Sequence, residues 1–188
     1  GIAATVPTFH GPLVLCDAGA NPEPRASHLM QYAVMAEVYA AKSLGINKPR
    51  VAILNIGAEE AKGTKMVKQV RDLLKEIPDL NFQGYIEARD LFDGAADVVV
   101  TDGFVGNVML KLVEGVLDLL SSALRGPGEH DDFQVLKSQF DYAEYGGAPL
   151  LGVNGVVIIA HGSSSPKAIK NAVKVAAKFV NTDLRRKI

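Results

Sequence analysis

Four short stretches of this chain combine residue types suited to handling an anion. They are CDAGAN (Cys16 to Asn21), NIGAEEAKGTK (Asn55 to Lys65), TDGFVGN (Thr101 to Asn107) and AHGSSSP (Ala160 to Pro166). Each closes a hydrophobic run and carries a glycine. Glycine lets backbone N–H groups approach a ligand closely, and a helix starting just beyond adds partial positive charge, so such turns suit phosphate or another oxyanion. Tight strand-to-helix turns also use glycine for purely structural reasons, so one alone would carry little weight; four carry more.

Within these turns Lys62 is the best cationic candidate, because it lies in a strand-to-helix loop; a solvated lysine is the competing explanation. Asn107 is expected to open the helix after TDGFVG, where its amide could donate to phosphate or an oxyanion, or simply cap the helix. Asp102, at a strand end, is expected to orient a neighbour or hold the turn. His161 could donate to phosphate, with a structural histidine as the alternative. Ser163 and Ser164 offer donors at a helix start, where ordinary capping also wants them. Gly57, Gly103, Gly106 and Gly162 would act through their backbone. Arg71, Lys65 and Lys68, together with Lys75, form a basic stripe at spacings of three or four, open to an acidic protein partner or to plain solvent.

Several common chemistries are excluded. GFVGN is neither the dinucleotide fingerprint nor a P-loop. HGSSS lacks the nucleophile elbow of serine hydrolases. His10, His28, His130 and His161 show no metal-ligand spacing with one another or with Cys16, so no structural metal is expected; no cofactor is expected either.

The elements that must position these residues alternate. PLVLCDAG, RVAILNIG, NFQGYIEA, DVVVTDG and GVVIIAHG are short runs with little polar alternation, as expected of strands covered on both faces. Between them, SHLMQYAVMAEVYAAKSLG ends at a capping glycine, Gly45, and KMVKQVRDLLKEIP places Met66, Val70, Leu73, Leu74 and Ile77 on one stripe. NVMLKLVEGVLDLLSSAL and PKAIKNAVKVAAKFVNTDL are the other helices, the last opened by Ser165 as N-cap and Pro166 at its first position. The alternation predicts a doubly wound α/β fold, a mostly parallel sheet with helices on both faces, and all four glycine turns at its carboxyl edge. Arg125 to Tyr145 breaks the rhythm and reads as an exposed loop or a shortened helical excursion.

With 188 residues and 48% hydrophobic content the chain suits one α/β domain over 1–188. Its 20 basic and 21 acidic residues leave a net charge of -1, which gives no global attraction to nucleic acid or an anionic membrane. No apolar run approaches the roughly 18 residues of a membrane span, and no signal segment opens the chain, so a cytoplasmic protein is expected. Cys16, in an apolar run, reads as a buried inert thiol.

CDAGANPEPRASHLMQYAVMAEVYA, PRVAILNIGAEEAKG, DVVVTDGFVGNVMLKLVEG and DYAEYGGAPLLGVNGVVIIAHGSSSPKAIKNA, in that order, resemble phosphate acyltransferases of the PlsX type. That resemblance runs from about Gly1 to about Val180 and implies acyl transfer from acyl-[acyl carrier protein] to inorganic phosphate, giving acyl phosphate for phospholipid synthesis. It implies an isocitrate/isopropylmalate dehydrogenase-like three-layer architecture, of which this chain matches the C-terminal part; the family's N-terminal half has no counterpart here. It also implies a homodimer. The family's hydrophobic excursion before DYAEYGG, implicated in membrane docking, is replaced by RGPGEHDDFQVLKSQF, so peripheral membrane contact is not expected to carry over. Alternatives are a phosphate acetyl- or butyryltransferase acting on acyl-CoA, and a non-catalytic piece that binds phosphate or dimerises. A related dehydrogenase would need a carboxylate cluster for Mg2+, which acids scattered at Asp17, Glu59, Glu60 and Asp102 do not supply.

Overall fold

The computed structural model describes residues 1–123, 146–162 and 164–181. β1 (Ala3–Thr8) and β2 (Gly11–Cys16) form an antiparallel hairpin. With β3 (Val51–Leu54), β4 (Phe82–Ile86) and β5 (Val98–Val100) they build a five-stranded sheet in the order β1-β2-β5-β3-β4. The last four strands in that order run parallel. β5 is Val98-Val99-Val100 and wholly buried, as a central strand packed on both faces should be. The α/β class and the mostly parallel sheet are thus as expected.

Helices cover both faces. On one, Val14, Cys16, Val51, Ile53, Val98 and Val100 point into a core shared with α1 (Ala26–Tyr39), α2 (Lys65–Lys75) and α4 (Pro166–Asn181). On the other, the alternate residues Leu13, Leu15, Ala52 and Val99 meet Leu91 and the half-buried Met109 and Leu110 of α3 (Gly103–Ala123). The period of two along each strand divides these cores. α1 runs on into a wider turn over Ala40–Leu44, which Gly45 ends in the left-handed region, φ 76°, as a C-cap. Thr64 caps α2 by accepting the Val67 N–H at 3.2 Å, and Ser165 caps α4 by accepting that of Ala168 at 3.2 Å. Along α2, Val70 and Leu74 are buried but Leu73 is not, because a step of three residues turns it about 60° away from Val70.

Two expectations change. β1 was not among the expected strands; the two residues Phe9 and His10 join it to β2, with Gly11 at φ 113° and the Thr8 hydroxyl both donating to Gly11 O (2.7 Å) and accepting the His10 N–H (3.1 Å). GVVIIAHG does not join the main sheet. Only Ile158–Ile159 pairs, as β7, antiparallel to β6 (Ala148–Pro149), in a separate ribbon. Pro149 has no N–H to extend the ladder, and Val157 and Ile159 face outward. The Ile2–Leu150 bridge and paired hydrogen bonds between Gly1 and Leu151 join this ribbon to the start of β1. The stretch Arg125 to Tyr145, with His130, lies outside the described residues.

The amino ends of β3 and β5 are clamped. Arg50 donates from its backbone N–H and Nε to Asp97 Oδ2 (2.8 and 3.0 Å), from Nη2 to Oδ1 (2.8 Å), and from Nη1 to Gly94 O (2.5 Å). Cys16 is free and buried, and burial pushes its thiol up to about 12, against the pull of the nearby amino terminus.

Candidate functional site

β5 lies between β2 and β3, so the turns that follow these three strands meet at the carboxyl edge. The first is organised by Asp17, whose side chain is fully buried. Its Oδ1 accepts the N–H groups of Ile2 (2.9 Å), Gly19 (3.1 Å) and Ala20 (3.0 Å), and its Oδ2 that of Asn21 (2.7 Å). This is an anion nest, and the chain's own carboxylate fills it.

The second turn leads into α3, which starts at Gly103, four residues before Asn107. Asp102 is therefore the capping residue: its Oδ1 accepts the Val105 N–H at 2.8 Å and its carbonyl that of Gly106 at 2.9 Å. Gly103 donates to Asn21 O at 2.8 Å, and among the described residues only Phe104 of this first turn keeps an N–H without a partner. Gly103 and Gly106 were expected to present N–H groups to an anion; both are spent within the fold, and what demands glycine is close approach. A Cβ on Gly103 would lie 2.8 Å from the Asn21 backbone, and one on Gly106 would strike the Asp17 carbonyl oxygen. Asn107, expected to open the helix, instead sits in its second turn with an exposed amide. It packs beside Gly19, whose Cβ position is 3.5 Å from it.

The third turn is open. Asn55 Nδ2 donates to Gly57 O at 3.0 Å, and Gly63, at φ 89°, leaves no room for a Cβ against the Asn55 amide oxygen. The Lys62 N–H closes the loop onto Glu59 O at 3.0 Å, with the lysine stem against Gly57, while its ammonium makes no ion pair with a described residue. Lys65 and Lys68 are likewise unpaired among the described residues, but the rest of the basic stripe is occupied. Arg71 is bound to Asp72 (2.7 and 2.8 Å) and to Glu60 O (3.1 Å), 5.9 Å above the Tyr85 ring. Lys75 bonds Glu60 Oε1 at 2.7 Å and holds that carboxyl below its usual range.

Between the second and third turns, astride the ends of β3 and β5, lies a cavity of about 570 Å³. Met66 and Val67 of α2 and Val105 and Met109 of α3 line it, with buried Leu29 and Ile53 beneath. Polar lining comes from Asn55, Thr64, Thr101 and Asp102.

The fourth turn stands elsewhere, because β7 is outside the main sheet. His161 Nε2 lies 3.3 Å from Lys111 Nζ, which also bonds Glu114 at 2.7 Å. Lys111 is one helical turn, about 6 Å, along α3 from Asn107. An ammonium only donates, so this contact requires the histidine tautomer with a lone pair on Nε2. Ser164 donates its N–H to His161 O at 3.0 Å and lines the same small cleft as His161; Gly162 is exposed with open space where a Cβ would go, and Ser163 lies outside the described residues. The residues that sequence reasoning passed over are Asp17 and Asn55. Each is an Asx residue at a strand end with a glycine two positions on, the signature of a side chain that organises its own turn.

Among the described residues no three His, Cys, Asp or Glu side chains gather as a metal site would need, and no helix is long and apolar enough to cross a membrane. The chain is 48% identical over 191 residues to a phosphate acyltransferase of Heliobacterium modesticaldum, covering 95% of this chain and 57% of that protein. With a phosphate acyltransferase of Dictyoglomus turgidum it shares 45% over 200 residues, covering all of this chain and 60% of the other. The chain thus spans somewhat over half the length of these curated relatives. Two solved phosphotransacetylases share the fold. EutD of Staphylococcus aureus matches with TM-score 0.62 at 18% identity, over 95% of this chain and 53% of that one. One from Streptococcus pyogenes matches with TM-score 0.63 at 21%, over 95% and 54%. A family model described as fatty acid synthesis protein matches residues 1–187, and the chain belongs to that family.

Proposed function

We propose that this chain forms part of an enzyme that transfers a fatty acyl group from acyl-[acyl carrier protein] to inorganic phosphate, releasing acyl phosphate for phospholipid synthesis. The observation that supports this best is the carboxyl edge, where the open Lys62 loop adjoins, through Gly63 and Thr64, a largely apolar cavity. Kinship with relatives named phosphate acyltransferase adds to it.

In this reading Lys62 holds the phosphate dianion. A phosphate oxygen attacks the thioester carbonyl carbon and forms the new C–O bond, moving charge onto the carbonyl oxygen, toward which Asn107 donates its amide N–H. Collapse of the tetrahedral oxyanion breaks the C–S bond; the thiolate leaves with the carrier protein and takes its proton from water. No enzyme nucleophile and no cofactor are needed. Asp102 holds the turn as its cap, and Asp17 and Asn55 hold the flanking loops. His161, with Ser164, shapes the wall farther along α3. Lys65 and Lys68 meet the acidic carrier protein, while Arg71, already bound to Asp72, contributes less.

The exposed stripe Phe104, Val108, Leu112 and Leu119 along α3 supports a homodimer. For the complete enzyme we infer the three-layer isocitrate/isopropylmalate dehydrogenase-like architecture, with 1–188 contributing one α/β unit.

The test is release of carrier-protein thiol from a long-chain acyl-[acyl carrier protein], with and without phosphate, by this chain and by a full-length relative. Release that needs phosphate is the expected result. No phosphate-dependent release from either protein rejects the reading.

A further inference from the structure

The cavity astride β3 and β5 has its polar groups unevenly placed. Asn55, Thr101 and Asp102 belong to the strand ends and Thr64 to the cap of α2; the remaining lining is aliphatic or thioether, and the buried floor of Leu29 and Ile53 offers no hydrogen-bond partner. At about 570 Å³ it falls within the range of small-molecule sites, and an apolar enclosure with a few convergent polar groups is their usual make-up. Met66 and Met109 enter from α2 and α3, and methionine's unbranched thioether adapts to ligands of differing length. Two of the lining residues, Gly63 and Thr64, follow Lys62 directly in the chain, so a ligand here would have an apolar end in the cavity and a reacting end near the Lys62 loop.

We propose that this cavity holds the fatty acyl chain, with the acyl carbonyl at the end marked by Asp102 and Asn55 and the hydrocarbon tail between α2 and α3. This assignment rests on the acyl-transfer reading for the identity of the ligand and adds the place where its chain binds. A thioester carries the carbonyl that the proposed reaction uses, so it is a better probe than a free fatty acid.

The experiment titrates this chain calorimetrically with the butyryl, hexanoyl, octanoyl and decanoyl thioesters of N-acetylcysteamine. Affinity should rise about fourfold per added methylene until the cavity is full. Val105→Trp, which fills the cavity from α3, should flatten this chain-length dependence and weaken octanoyl binding more than tenfold. Met66→Trp, from the opposite wall, should do the same, and carries the test if the first variant loses its far-ultraviolet circular dichroism. No binding by the wild type, or an unchanged slope in a folded variant, overturns the assignment. Thiol release is a separate readout. Phosphate-dependent release without the chain-length slope would sink the cavity and spare the reaction; the slope without release would keep the cavity as an acyl site and sink the reaction.

Discussion

At the amino ends of β3 and β5, Arg50 and Asp97 satisfy each other through three hydrogen bonds, and Gly94 takes the remaining guanidinium arm. At the carboxyl ends of the same strands, Asp17 and Asp102 absorb the N–H groups of two turns, while the third turn leaves Lys62 without an ion partner among the described residues and opens onto the cavity. The amino end is closed electrostatically. The carboxyl end is closed at two places and open at one. Three glycine-bearing turns of similar composition therefore do different work, and what separates them is where their N–H groups are spent. A glycine turn is an anion site only when no carboxylate of its own has already taken the place.

The largest expected effect attacks the closed part of the carboxyl edge. Asp17→Ala leaves four N–H donors without their acceptor and should cost about 4 kcal/mol in urea unfolding; a loss below about 1 kcal/mol would mean that water replaces the carboxylate freely. Next, Gly106→Ala drives a methyl group into a backbone carbonyl and should cost about 3 kcal/mol. Gly162→Ala, with nothing within 4 Å of the added carbon, should stay within about 0.5 kcal/mol. Equal losses at the two glycines would erase the distinction between the second turn and the fourth.

Lys62→Met addresses the open turn. Stability should hold within about 0.5 kcal/mol while phosphate-dependent thiol release falls about 100-fold; a fall in both together would make the lysine a structural residue. The smallest loss expected of a disrupted contact belongs to the amino end. Burial works against the Asp97 charge, but the Arg50 hydrogen bonds and charge outweigh it and hold the carboxyl below its ordinary value of 3.8. Its stabilisation is therefore present above that value and lost as pH falls through the folded one. Asp97→Asn should cost about 1 to 2 kcal/mol at pH 7, and comparing urea midpoints at neutral and acid pH should show a shallower acid decline than in the wild type.

The central strands and the four α-helices of the described residues were legible because their composition leaves one arrangement: VVV and VAIL need cover on both faces, and Gly45, Ser165 and Pro166 punctuate helices in the way their backbone preferences dictate. The ribbon strand was not, because GVVIIA has the same apolar pattern whether a helix covers it or it stays at an edge; Pro149 on its partner decides. β1 was missed because Ala3, Ala4 and Pro7 are weak strand formers, and the hairpin with β2, not intrinsic preference, makes the strand. Asn107 was placed at the helix start because asparagine favours caps, but Asp102 serves the same function five residues earlier and α3 tolerates glycine at both 103 and 106. Spacing along the chain cannot show which acid turns inward, and so Asp17 reads from sequence as one scattered carboxylate among several.

The buried thiol of Cys16 has a practical consequence. It is the chain's only cysteine, and with its proton held to about 12 it supplies almost no thiolate at neutral pH. A cysteine introduced at the cavity mouth, such as Ile56→Cys where the native side chain is 81% exposed, would then be the sole reactive sulfur. Maleimide dyes and spin labels could be attached there without first removing the native cysteine, so a ligand's arrival could be followed in otherwise unaltered protein.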